Sequence, residues 1–107
     1  MDASKPNILV VDDEMGPRES LKMILNPYYN VLIADRGAQA IEMLKQHAVD
    51  LVTLDLKMPG LTGINVLEKV KAHDPDIEVI IITGYGSLDT AIEGLRLGAF
   101  DYISKPF

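Results

Sequence analysis

The chain has 107 residues, of which 48% are hydrophobic and 24% charged, with a formal net charge of −6 and no cysteine. That length holds one domain, residues 1–107, around a single core; the composition excludes disorder, and the lack of cysteine excludes a disulfide framework and thiolate metal sites. Net negative charge with scattered Lys and Arg argues against direct nucleic-acid binding, and with no apolar run near the roughly 18 residues of a membrane span the chain reads as cytoplasmic.

In chain order, Asn7-Ile8-Leu9-Val10-Val11 reads as a buried strand that stops at Asp12-Asp13-Glu14. A helix is expected from about Pro17, with Leu21, Ile24, Leu25 and Tyr28 on its buried stripe and Asn26-Pro27 closing it. Val31 to Ala34 is a second strand. The next helix runs from about Ala38 to His47, with Ala40, Ile41, Leu44 and Ala48 inward. Leu51 to Leu54 is a third strand without strict polar alternation, as in a strand buried on both faces, and Asp55 ends it before a turn through Pro59-Gly60.

A third helix buries Gly63, Val66, Leu67 and Val70 and ends at Asp74-Pro75. Val79 to Ile82 is the next strand, closing on Thr83-Gly84. Ser87 can cap a fourth helix whose stripe is Leu88, Ala91, Ile92 and Leu95, and Gly98 stops it. Phe100 to Ser104 is a last strand, polar enough for a sheet edge. Strands alternating with helices across short connections predict an α/β fold: a parallel sheet with right-handed crossovers and helices on both faces.

In such a sheet the carboxyl ends of the strands share one rim, which gathers Asp12, Asp13, Asp55, Thr83 and Lys105. Three carboxylates there repel one another unless a proton or a cation intervenes. Oxygen donors without His or Cys favour magnesium. With a lysine opposite, the rim has the parts of phosphoryl transfer, and Asp55 is the natural nucleophile. Each residue alone has a plainer reading. Asp12-Asp13 could cap the first helix, Asp55 could open a turn, Thr83 could be an ordinary strand residue and Lys105 a solvated charge. It is their common rim that favours chemistry. His47 and His73 have no partner at ligand spacing and read as solvated.

Together, Asp12-Asp13 after Ile8-Leu9-Val10-Val11, the Asp55-Leu56-Lys57-Met58-Pro59-Gly60 turn, Thr83-Gly84 after Val79-Ile80-Ile81-Ile82, and Lys105-Pro106-Phe107 resemble the receiver domain of two-component response regulators. The resemblance covers essentially the whole chain. It implies a flavodoxin-like, doubly wound sheet of five strands in the order 2-1-3-4-5. It implies a regulatory phospho-acceptor rather than an enzyme, one that assists its own phosphoryl transfer and dephosphorylation.

By the same resemblance, Asp55 takes a phosphoryl group from a sensor histidine kinase. Asp12, Asp13, Asp55 and the Lys57 backbone carbonyl hold Mg2+, Lys105 pairs with the phosphoryl oxygens, and Thr83 and Tyr102 are the switch pair. The Lys105-Pro106 peptide resembles the family's cis bond. Thr83 to Ala91 and Gly98 to Tyr102 look most like receivers of sigma-54-dependent transcription activators, which implies an output domain carrying ATPase and DNA-binding functions.

Two departures stand out. Gly16-Pro17 replaces ordinary helix formers and is expected to shorten or re-aim the first helix. The family's fifth helix has no counterpart before Phe107, so the fold is expected to lack its final helix, leaving an apolar face through which the chain would self-associate. Two rival classes fit less well. A haloacid-dehalogenase-type phosphatase needs a second acid where Lys57 stands, and a nucleotide-binding module needs a glycine-rich loop where Asp12-Asp13-Glu14 stands.

Overall fold

The apolar runs pair side by side into one parallel sheet of five strands: β1 (Asn7–Val11), β2 (Asn30–Ala34), β3 (Leu51–Asp55), β4 (Glu78–Thr83) and β5 (Asp101–Ser104), in the order β2-β1-β3-β4-β5. The computed structural model describes residues 2–56, 63–84 and 88–105, and only the backbone of Thr83 and Leu88. The Lys57 carbonyl, the Pro59-Gly60 turn, the Ser87 cap, the Lys105-Pro106 peptide and Phe107 lie outside the described residues. The strand order is the one the resemblance implied. Pairing of Val11 with Leu54, Asp55 with Ile82 and Thr83 with Ser104 brings the carboxyl ends of β1, β3, β4 and β5 into line.

Side chains alternate across the pleat. Leu9, Val11, Val52, Leu54, Val79 and Ile81 belong to the core cluster beneath the helices α2 (Gly37–Gln46), α3 (Gly63–His73) and α4 (Leu88–Arg96). Ile8, Val10, Thr53 and Ile82 point the other way and are also buried, which is why the central runs carry no polar alternation. Among the described residues, α1 (Met15–Leu25) is the one helix on that second side, against β1 and β2.

α1 begins two residues before Pro17, and the expected shortening does not occur. Pro17 falls in the first turn, where its missing N–H would have had no intrahelical acceptor. Its expected stripe needs correction: Leu21 and Leu25 are half-buried, but Ile24 is 54% and Tyr28 69% exposed. No described helix flanks α1, so one narrow line of contact replaces a broad one. Tyr28 instead meets Tyr29 edge-on, ring centroids 6.5 Å apart.

In α2, Ala40 and Leu44 are buried and Ile41 half-buried, but Ala48 is exposed and Val49 is buried in its place. The cause is local, since His47 at φ −133°, ψ 147° is already extended and the helical period has ended. α3 buries Gly63, Val66, Leu67 and Val70 as expected. A Cβ on Gly63 would overlap the Leu56 backbone, so only glycine fits there. In α4, Ala91 is buried whereas Ile92 is 40% exposed, a further correction. Gly94 is buried against the Ile81 side chain, and Gly98 ends the segment at φ 110°. Phe100 precedes β5 rather than opening it and is exposed, as are Asp101, Ile103 and Ser104 along this edge strand.

On the α1 side, a cavity of about 410 Å³ opens between that helix and the sheet, lined mainly by Ile8, Leu21, Leu25, Ile80, Ile82 and Ile103. Among the described residues no helix covers this face beyond α1.

Candidate functional site

Asp12 extends the ladder one residue past β1: its N–H donates to the Ala34 carbonyl at 3.1 Å, which fixes where its side chain leaves the sheet. One carboxylate oxygen accepts the Glu14 N–H at 2.9 Å, and the other lies 3.0 Å from the Lys105 ammonium. The capping reading fails for this acid, because Glu14 holds the N-cap position of α1. Asp55 is the last residue of β3, aligned beside the end of β4. Asp12 and Asp55 are only 2% and 3% exposed.

Lys105, one residue past β5, closes the arrangement from the far end of the chain. Its Nζ lies 3.0 Å from Asp12 Oδ2, 3.1 Å from Glu14 Oε1 and 3.3 Å from Asp55 Oδ2. An ammonium has three donors, and three carboxylates take them. Burial disfavours the charged lysine, but hydrogen bonds to Asp12 and Glu14 and the charges of Asp55 and Asp12 outweigh it, holding the ammonium well above the usual lysine range.

The response regulator receiver domain model matches residues 8–107. The chain belongs to this family. It is 43% identical over 101 residues to the transcriptional regulatory protein ZraR of Escherichia coli (strain K12), covering 94% of this chain but 23% of that protein. It is equally identical over 101 residues to sporulation initiation phosphotransferase F of Bacillus subtilis (strain 168), covering 82% of that relative. Among solved structures, NtrX from Brucella abortus in complex with ADP superposes with a TM-score of 0.92 at 35% identity, over 96% of this chain and 24% of that one. This receiver thus spans about a quarter of the length of ZraR and NtrX and most of the shorter relative.

Receivers use Mg2+ with a cluster of acids, and the donors here suit such an ion. One carboxylate oxygen from each of Asp12, Asp13, Glu14 and Asp55 falls within a group spanning 4.8 Å, all oxygen, two residues buried and two exposed. That is the donor set of a hard divalent cation with room for water.

Of the receiver residues expected from the sequence, Asp12, Asp13, Asp55 and Lys105 therefore converge on one rim. Thr83 ends β4 paired with Ser104, its side chain outside the described set, as is Lys57. Tyr102 is half-buried and packs against the core cluster. Glu14 was missed as a site residue. In sequence it merely continues an acidic run, and the one available signal was its adjacency to Asp12-Asp13.

Proposed function

We propose that this receiver is a phosphorylation-dependent switch in which Asp55 accepts a phosphoryl group from a phosphohistidine of a sensor histidine kinase. The bond from an Asp55 oxygen to phosphorus forms as the P–N bond breaks, and the P–N electron pair stays on the imidazole nitrogen. Asp12, Asp13, Asp55 and the backbone carbonyl of Lys57 would hold Mg2+. The ion supplies positive charge to the oxygens of the transferring group.

Lys105 donates to the same oxygens, Thr83 contributes its hydroxyl, and Tyr102 moves with it. The domain speeds its own phosphorylation and dephosphorylation and acts in the cytoplasm, where it controls an output domain of the sigma-54-dependent transcription activator type, with ATPase and DNA-binding parts.

The observation that carries this reading is one ammonium held between two buried carboxylates at the ends of the adjacent strands β1 and β3, Lys105 to Asp12 and Asp55. Two acids beside one lysine make a nucleophile, a cation seat and a phosphate partner in a single rim. The test is incubation with a small phosphodonor and Mg2+ followed by intact mass. One added phosphoryl group is expected, absent in Asp55→Asn; an adduct at full yield in that variant would refute the assignment.

On the α1 side, where no described helix beyond α1 covers the cavity lined by Ile8, Ile80, Ile82 and Ile103, a second element is association between copies of this chain, which takes these apolar side chains out of water. Sedimentation at rising concentration should show association, weakened by Ile103→Glu; a single monomeric species at every concentration would exclude it.

A further inference from the structure

Glu14 is the N-cap residue of α1, yet its carboxylate makes no capping hydrogen bond. A capping side chain bonds the N–H of the second or third helical residue. Here the third is Pro17, which has no N–H. Glu14 is nevertheless held firmly by its backbone. Its N–H donates to Asp12 Oδ1 at 2.9 Å, and its carbonyl accepts the Arg18 N–H at 3.2 Å. Arg18 also donates through its guanidinium to the Asp12 carbonyl at 3.1 Å. With its backbone fixed and no capping partner, the Glu14 side chain reaches Lys105 at 3.1 Å.

The three acceptors of Lys105 are not equivalent. Asp12 and Asp55 side chains are 2% and 4% exposed, whereas that of Glu14 is 63% exposed. A divalent cation held by the buried pair would compete with the ammonium for the same two carboxylates, Asp12 and Asp55. Two cations cannot share them cheaply, so Lys105 must withdraw. Without another anion in reach it would withdraw unpaired from a site that is 15% exposed at its own side chain.

We propose that Glu14 is a positioning residue for Lys105: it retains the ammonium at the rim when Mg2+ displaces it from Asp12 and Asp55, so that the lysine stays beside the acceptor. The inference rests on the receiver reading above and concerns a residue outside its usual set. Gly16-Pro17, odd as a helix start, then has a consequence, since Pro17 removes one of the two N–H groups that could hold the Glu14 carboxylate as a cap.

The test is Mg2+ titration without phosphodonor, followed by calorimetry and amide chemical shifts, for the whole chain and for Glu14→Asp and Glu14→Gln, each also combined with Lys105→Met. Glu14→Asp keeps the charge but shortens the reach. It should weaken Mg2+ binding roughly two- to five-fold, the scale of an exposed ion pair, and have no effect once Lys105 is methionine. Unchanged affinity in Glu14→Asp with loss in Glu14→Gln would mean that only its charge matters and would overturn the proposal. Equal weakening by Glu14→Asp in the Lys105→Met background would also overturn it, by making Glu14 a direct ligand. Failure of the unaltered chain to bind Mg2+ would instead strike at the receiver site itself.

Discussion

The Lys105 ammonium lies 3.0 Å from the Asp12 carboxylate, joining the residue after the last strand to the residue after the first. Removing the lysine takes its ammonium away from the buried Asp12 and Asp55 carboxylates, and breaking such a pairing costs about 3 kcal/mol. Because the folded-state pKa of Lys105 is raised above the ordinary 10.5, its contribution is fully present below that pH and is lost as pH climbs through the folded value. Denaturant unfolding of the metal-free protein should show Lys105→Met less stable by about 2–3 kcal/mol from pH 7 to 10. The gap should narrow only at more alkaline pH. A gap that closed between pH 7 and 9 would contradict the pairing.

Thr53 presents a different imbalance. It is 6% exposed on the α1 side of β3, and its hydroxyl has no hydrogen-bond partner among the described residues. A buried unmatched hydroxyl costs about 1–3 kcal/mol, while valine offers nearly the same shape and equal strand preference. Thr53→Val is expected to stabilise the domain by about 1 kcal/mol in chemical denaturation. A loss of that size would reveal a partner for the hydroxyl.

Gly94 tests how closely α4 sits on the sheet. A Cβ there would collide with Ile81 Cδ1 in the core. Alanine gains roughly 1 kcal/mol of helix propensity, but overpacking costs about 1–3 kcal/mol, so the clash wins narrowly. Gly94→Ala should lower stability by about 1 kcal/mol, and adding Ile81→Val, which removes Cδ1, should recover most of it beyond the cost of Ile81→Val alone. Additive losses in the double variant would show that the contact is not the cause.

These sites show what was readable beforehand. The strands were legible because continuous apolar runs ending in Asp12, Asp55 and Thr83 mark both burial and the rim, whereas their order came with the resemblance to receiver domains and not from the runs themselves. The α1 stripe was misread because a 3.6-residue period says which side chains share a face, not how wide a surface meets them, and Ile24 and Tyr28 lie beyond the line of contact. The role of Gly94 depends on Ile81, thirteen positions away and invisible to local pattern. Glu14 required a reach across 91 residues to Lys105, information that no local spacing holds.

The proposed switch would reach a distant face along the sheet edge. Thr83 pairs with Ser104 and Ile81 with Tyr102, while the Ala99 N–H donates to the Gly94 carbonyl at 3.0 Å, tying the end of α4 to the approach to β5. α4 also rests on Ile81 through Gly94, with Tyr102 packed against the same core cluster. A phosphoryl group on Asp55 adds charge and three acceptor oxygens beside β4. If it draws Thr83 and Lys105 inward, the strain passes to Ser104 and Tyr102 in register and to α4 by packing, biasing two arrangements of that face. Amide chemical-shift changes on adding a phosphate mimic with Mg2+ should therefore extend from Asp12, Asp13 and Leu56 to Ala91, Leu95 and Tyr102. They should shrink in Thr83→Ala while the mimic still binds. Changes confined to the acidic loops in the unaltered protein would rule out α4 and β5 as the responding face.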